Sequence, residues 1–301
     1  MYDIIVIGGG PAGLTAALYA LRANKTVLII EKATFGGQIT YSPKVENYPG
    51  FQEASGNEIA EKMVEQVLSQ GAEIELDAVV EIRDGDEKTV VTEGGEFTAK
   101  AVIIATGARH RMLGLSGEQE LVGNGISFCA VCDGAFYNGK HVAVVGGGNS
   151  ALQEALLLCE NAAKVTVVQN LPYLTGEERL QKRLFENPKA EVILNTTVSA
   201  VLGDGELTGI TLLDGESGQK SDLSVDGLFV AIGLIPQNEA FKNVIALNDY
   251  GYADSDESCV TKTDGIFVAG DCRKKGVRQV TTATADGAVA ALAACSYIDG
   301  K

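Results

Sequence analysis

A strand, a glycine turn, a helix and a second strand follow one another twice in this chain, and that repetition limits the fold more than any other feature. The first copy opens with Ile4 to Ile7, an apolar run of the kind found in a parallel sheet covered on both faces. Gly8, Gly10 and Gly13 follow in GxGxxG spacing, with Pro11 and Ala12 between them. An alanine- and leucine-rich stretch then runs to about Ala23, and TVLIIE ends in Glu31, twenty-three residues after Gly8. In such a unit the glycines allow a tight turn, close approach of a pyrophosphate, and close packing of helix on strand. The helix N-terminus supplies N–H donors to the phosphates, and the acid at the end of the second strand suits a ribose hydroxyl. The second copy, HVAVVGGGNSALQEALLLCENAAKVTVVQ, places Gly146, Gly148 and Ala151 in GxGxxA spacing. Gln169 again stands twenty-three residues after the first glycine. The chain is therefore predicted to carry two dinucleotide-binding units of matched geometry.

With 301 residues there is room for about two domains. Two more strand-like runs end in glycine turns, AVIIATGA with Thr106 and Gly107, and GLFVAIGL with Gly233; each closes a domain and hands the chain on. Near the C-terminus GIFVAGDC forms another buried strand, and RQVTTATADGAVAALAA follows as a helix of small residues. The expected fold class is α/β, with two Rossmann-like domains. One is discontinuous, 1–114 and 241–301, and the other, 115–240, is inserted into it. Forty acidic against twenty-four basic residues give a net charge of −16, which argues against a nucleic-acid or anionic-membrane partner. No apolar run approaches the ~20 residues of a membrane span. Met1-Tyr2-Asp3 leads straight into a strand, without the form of a signal peptide, so a cytoplasmic location is expected.

Six cysteines are too few for a secreted disulfide scaffold. Cys129 and Cys132 form CAVCDG, just ahead of the second unit. Zinc would call for a second such pair or for histidines, and the only histidines, His110 and His141, are single, so no metal is expected. A dithiol/disulfide couple fits better, because two intervening residues permit reversible closure of a small ring. Asp133, next in sequence, either hands a proton to a departing thiolate or simply caps a helix. Cys159 and Cys295 read as packing residues; Cys272 follows Asp271 in a candidate cofactor loop.

GGGPAGL, FGGQ, ENYPG, CAVCDG, GGGNSA and RQVTTATADG stand in the order in which they occur in the low-molecular-weight thioredoxin reductases, and the chain resembles that family over nearly its whole length. The resemblance implies an FAD domain, an inserted pyridine-nucleotide-type domain carrying the disulfide, a homodimer, and thioredoxin as the disulfide substrate. Carried over by position, Gly8, Gly10, Pro11, Ala12, Gly13, Glu31, Lys32, Gly36, Gly37, Gln38, Asn47, Thr106, Gly107, Asp271, Arg278, Gln279 and Val280 hold FAD. By the same resemblance Cys132 faces the flavin and Cys129 attacks thioredoxin.

One departure bears on the electron donor. Members of the family that use NADPH carry HRRxxxR from the position of Gln169, and those arginines pair with the 2′-phosphate. This chain reads QNLPYLT, with Gln169, Asn170, Leu171 and Thr175 in those places, and Gln153 where such members tend to have Glu. That pattern resembles the ferredoxin-dependent flavin thioredoxin reductases, which points to reduced ferredoxin as donor. Arg273, Lys274, Lys275 and Arg278 then offer a basic docking run in an otherwise acidic chain. The alternatives are an NADPH- or NADH-dependent reductase, with Arg179 or Arg183 in place of the missing arginines, and a redox-sensing flavoprotein without turnover.

Overall fold

A computed structural model describes residues 1–42 and 44–300. The chain begins with β1 (Tyr2–Ile7), α1 (Pro11–Arg22), β2 (Val27–Glu31), α2 (Gly56–Ser69) and β3 (Glu73–Leu76). β4 (Val79–Arg83), β5 (Lys88–Thr92), β6 (Glu96–Ile104) and β7 (Ala108–His110) follow. Next come β8 (Ile126–Ser127), α3 (Ala130–Asp133), β9 (His141–Val145), α4 (Asn149–Asn161), β10 (Lys164–Val168), α5 (Glu178–Phe185) and β11 (Ala190–Ile193). β12 (Thr196–Gly203), β13 (Leu207–Asp214), β14 (Lys220–Ser224) and β15 (Gly227–Val230) complete that stretch. The chain returns through β16 (Leu234–Pro236) to β17 (Ile266–Val268) and α6 (Val280–Asp299).

Two compact units result, one of residues 1–109 and 235–301, the other of 110–234. The sequence pattern puts the divisions at 114/115 and 240/241, five or six residues later at each crossing. The reason is local. β7 and β16 pair with each other where the chain crosses. Beyond β7, the Leu113, Gly114 and Leu115 N–H groups already donate to the Glu118 carboxylate, and Leu113 and Leu115 pack on the second unit's core. Beyond β16, the Gln237 N–H donates to the Gly107 carbonyl and Phe241 is buried in the first unit's core.

In the first unit β1 is central, parallel to β2 on one side and β6 on the other, with Ile7 opposite both Ile30 and Ile104. β6 serves two neighbours on its far side: β5 runs antiparallel to its first half and β17 parallel to its second. Ile4, Ile5 and Val6 have no solvent exposure, and complete burial of each contributes about 1.5–3 kcal/mol. Pro11 opens α1, a position where its missing N–H costs nothing. α1 and α6 meet through alanines, Ala16, Ala17 and Ala20 in the same core as Ala290, Ala291 and Ala294. At Gly287 of α6 a Cβ would stand 2.2 Å from the Ala12 carbonyl oxygen, so no larger residue permits this approach.

The second unit has a five-stranded parallel sheet, ordered β11-β10-β9-β15-β8, and a three-stranded antiparallel sheet, β12-β13-β14. Its helix α4 lays Ala151, Leu152, Ala155, Leu158 and Cys159 onto the core beside Val142 and Val144.

Candidate functional site: a dinucleotide cradle and a dithiol

The first glycine turn forms a cradle at the N-terminus of α1. Gly8 has φ of 110°, a conformation that L side chains rarely adopt. A Cβ on Gly13 would lie 1.9 Å from the Gly8 carbonyl oxygen, and one on Gly8 would lie 2.4 Å from that of Ala105, next to Thr106. Glu31 is held between two amides, accepting from Gly9 N–H at 2.7 Å and from Ala33 N–H at 2.9 Å. The Gly36 N–H donates to the Gly9 carbonyl, which brings the FGGQ turn, with Gly37 and Gln38 in a 3-10 turn, to the same place. From the C-terminal segment, Gly270 comes so near Ala12 that a Cβ there would stand 2.8 Å from the alanine methyl, and Asp271 follows it.

The predicted cofactor residues therefore belong to one unit, and these bonds and close approaches draw Gly8 to Gly13, Glu31, Gly36, Thr106 and the 270–271 turn around one helix end. Others are positioned by neighbours: Asn47 donates to Gln279, Lys32 to Gln237, and Thr106 Oγ1 lies 3.5 Å from Asn238 Oδ1. Gln279 caps α6, in a capping box with Thr282, and Val280 is the helix's first residue. Gly107 has φ of 66°. The Arg278 guanidinium lies 4.3 Å from the centre of the Tyr252 ring. Two polar atoms here are buried without a hydrogen-bond partner, Asp271 Oδ1 and Arg278 Nε, and burial pushes the Asp271 carboxyl up. A Cβ-free cradle with orphaned polar atoms beside a helix N-terminus is what a dinucleotide would complete. The residues fit FAD.

Sequence reasoning missed two residues that support this loop. Asn238 is buried and donates to the carbonyls of Gly251 and Cys272 at 2.9 and 2.7 Å. Asp286, on α6, accepts from Gly270 N–H at 3.0 Å, from Arg273 Nε and Nη2 at 2.8 Å each, and from Lys275 Nζ at 2.8 Å. Burial works to raise the Asp286 carboxyl, and the Arg273 and Lys275 partners outweigh it, so it lies below its ordinary value. The expected basic docking run is thereby corrected. Arg273 is 1% exposed and, like Lys275, is engaged with Asp286; only Lys274 of that triplet reaches solvent, 3.7 Å from Asp254. The run looks free in the sequence because its partner lies eleven or more residues away, inside an alanine helix.

In the second unit Cys129 and Cys132 are joined as a disulfide, with Cα atoms 5.3 Å apart. Cys129 occupies the N-cap of the short α3, and its Sγ accepts from Cys132 N–H at 3.2 Å. Asp133 is the last residue of α3 and stands at the N-cap position of the 3-10 turn at 134–137, but its side chain caps neither. Its Oδ2 accepts from Ser127 Oγ at 2.6 Å, and Ser127 Oγ accepts in turn from Cys129 N–H at 3.1 Å. The other oxygen, Oδ1, is buried with no partner, and burial pushes this carboxyl up. That is the state of a group able to hold a proton near a sulfur atom. Ser127 carries no signal in the sequence.

The second glycine turn keeps its form, with Gly146 at φ of 132°, but its surroundings differ from the first. Gln169 is 5% exposed and lies across the turn: a Cβ on Gly147 would stand 2.5 Å from its Cδ. Its Nε2 donates to the Tyr173 carbonyl at 3.3 Å. The amides of Thr175 and Gly176 donate to the Gly147 carbonyl at 2.8 and 2.9 Å, so the QNLPYLT segment folds over the turn. Arg179 is 78% exposed and bound to Glu177, and Arg183 is also exposed. His110 stacks on Phe128 with centroids 4.5 Å apart, and burial lowers its pKa to about 4. His141 Nε2 lies 2.9 Å from Thr166 Oγ1. Cys159, Cys259, Cys272 and Cys295 are buried thiols.

The chain is similar to known proteins. The pattern of the "Pyridine nucleotide-disulphide oxidoreductase" family matches residues 2–287. A "Thioredoxin reductase" of Bacillus subtilis (strain 168) is 44% identical over 301 residues, covering 99% of this chain and 95% of that protein. One from Listeria monocytogenes is 45% identical, covering 99% of this chain and 94% of that protein. The crystal structure of thioredoxin reductase from Streptococcus pyogenes MGAS5005 superposes with a TM-score of 0.95 at 40% identity, over 100% of this chain and 99% of that one. With its two Rossmann-like folds, its FAD cradle and its disulfide, the chain belongs to the low-molecular-weight thioredoxin reductase family of FAD-dependent pyridine nucleotide-disulphide oxidoreductases.

Proposed function

We propose that this FAD-dependent oxidoreductase passes electrons to the Cys129–Cys132 disulfide and on to thioredoxin, and that reduced ferredoxin rather than NADPH supplies them. Bound FAD supplies the two-electron reducing chemistry. Within the chain, Glu31 takes the ribose hydroxyls, the α1 N-terminus takes the pyrophosphate, and Asp271 and Arg278 meet the cofactor with their unpartnered atoms. Cleavage of the disulfide leaves charge on sulfur, and Asp133 holds the proton that one thiolate needs. Cys129 then attacks the disulfide of thioredoxin, and Cys132 resolves the mixed disulfide. The relatives named thioredoxin reductase support the substrate. Under the same proposal the enzyme is cytoplasmic and a homodimer. Among the described residues no helix is long and apolar enough to cross a membrane.

The observation that carries the donor is the second glycine turn. The positions that bear arginine in NADPH-dependent members hold Asn170, Leu171 and Thr175, and the buried Gln169 fills the space beside Gly147. A one-electron protein donor needs no nucleotide pocket. The intact backbone of that turn favours a second reading, a pyridine nucleotide held without those arginines. Anaerobic titration of the flavin with NADPH, NADH and reduced ferredoxin separates the two. Bleaching by ferredoxin alone supports the proposal, and rapid bleaching by either nucleotide refutes it.

A further inference from the structure

Asp133 is not the only buried carboxyl beside the dithiol. Glu154 projects from α4, the helix on which α3 packs. The amide of Ala130, the residue that follows Cys129 and opens α3, faces its carboxyl and works to lower its pKa. Its Oε2 is sealed from solvent and has no hydrogen-bond partner. Two carboxyls thus meet the dithiol turn, Asp133 through Ser127 and Glu154 at the Ala130 amide, and each has one buried oxygen without a hydrogen-bond partner. Asp133 is accounted for by the proton it gives; Glu154 has no role in that step, and a solvated Glu would be the cheaper residue at its position.

We propose that Glu154 is a positioning residue of the redox centre, which keeps its proton while a thiolate is present on the Cys129–Cys132 pair and disfavours reduction of the disulfide once it ionises. The inference rests on that pair being the redox couple. Reduction breaks the S–S bond and places two electrons on the sulfurs, each of which takes a proton or remains a thiolate. A carboxylate bound at the first amide of α3 would add a like charge beside that thiolate and compete for the donors that stabilise it. A neutral carboxyl adds no charge and competes more weakly.

Burial raises the Glu154 pKa to about 7, and the Ala130 amide only partly offsets it. The elements packed on α4 also carry Asp133, Tyr137, His141, Lys164 and the charged side chains of α5, none of which contributes to this shift. Ionisation of Glu154 therefore falls between about pH 6 and pH 8.

The test compares the holoenzyme with Glu154→Gln in mixtures of oxidised and reduced dithiothreitol, quenched and alkylated to count Cys129 and Cys132 thiols. At pH 8 the variant should hold roughly three- to tenfold more of the pair reduced, relative to oxidised, than the wild type at the same ratio. At pH 6 the two should agree within about twofold, because the side chain at position 154 is then largely neutral in both. An equal shift at both pH values, or none at pH 8, overturns the proposal, since a purely structural effect would not depend on pH. Glu154→Met repeats the measurement if the glutamine variant fails to retain flavin. If the pair fails to titrate even in the wild type, the redox assignment of Cys129 and Cys132 fails as well; if it titrates normally and the variants track it, only the role of Glu154 does.

Discussion

Replacing Asp286 by Ala would leave two buried cations without their shared anion. Arg273 is 1% exposed and Lys275 has a side chain 5% exposed, so water cannot take over the lost bonds without opening the loop. Breaking one partner out of a buried pair typically costs 3–5 kcal/mol. Here Glu257, 2.8 Å from Arg273 Nη2 and itself exposed, still compensates one cation, which puts the expected loss near the lower end, about 3 kcal/mol. For a domain of this size that lowers Tm by roughly 6–12 °C. Because the same carboxylate holds the Gly270 amide next to Asp271, FAD should also be held more weakly, and excess FAD should recover part of the lost Tm. The pH dependence has a definite sign. Asp286 lies below its ordinary value in the folded protein, so its stabilisation is present above the unfolded value of ~3.9 and is lost as pH falls through the folded one. The gap between wild type and variant should be full at pH 7 and close only in strongly acidic solution. Scanning calorimetry of both proteins at several pH values, with and without added FAD, measures all of this. A variant melting within 1 °C of wild type at pH 7 would falsify the buried-ion account.

Three further outcomes are expected. Cys129→Ser and Cys132→Ser should each abolish thioredoxin reduction while FAD stays bound, as read from insulin turnover and flavin absorbance; near-wild-type turnover in either would end the dithiol mechanism. Gly13→Ala, whose methyl would lie 1.9 Å from the Gly8 carbonyl oxygen, should yield protein that purifies largely colourless, and a fully yellow preparation would contradict the cradle. Grafting arginine at Asn170, Leu171 and Thr175 with histidine at Gln169 should raise NADPH-driven reduction by less than about tenfold, because the QNLPYLT backbone stays folded over Gly147; a gain of several hundredfold would show that only the charges were missing.

Much of this architecture is legible in the order of the amino acids, for a physical reason. Strands buried on both faces spell themselves as apolar runs, so Ile4–Ile7 and Val142–Val145 are visible, and turns that must accept a Cβ-free backbone spell themselves as glycine at fixed spacing. What stays hidden depends on partners distant in sequence. Arg273 and Lys275 read as a solvated basic patch because nothing local reveals the Asp286 that neutralises them. Glu154 carries no signal of its own in the sequence; its buried, unpartnered Oε2 shows only in the folded chain. The crossing points are displaced for a different reason: Glu118 gathers the amides of Leu113, Gly114 and Leu115 just upstream, and Phe241 joins the first unit's core.

The seam between α1 and α6 also has a consequence for the order in which the molecule is made. The helix that opens the cofactor site is sealed by alanines some 270 positions later, and the last strand of its sheet, β17, docks against β6 across the whole inserted unit. On a ribosome the inserted unit, being continuous from 110 to 234, can collapse as soon as it emerges, whereas the unit that surrounds it must wait for its final helix. Nascent chains arrested shortly before residue 280 should accordingly display a folded dithiol unit tethered to a half-built flavin shell. Flavin supply would then act on the completed polypeptide, making cofactor capture the closing event of biogenesis rather than a scaffold for it.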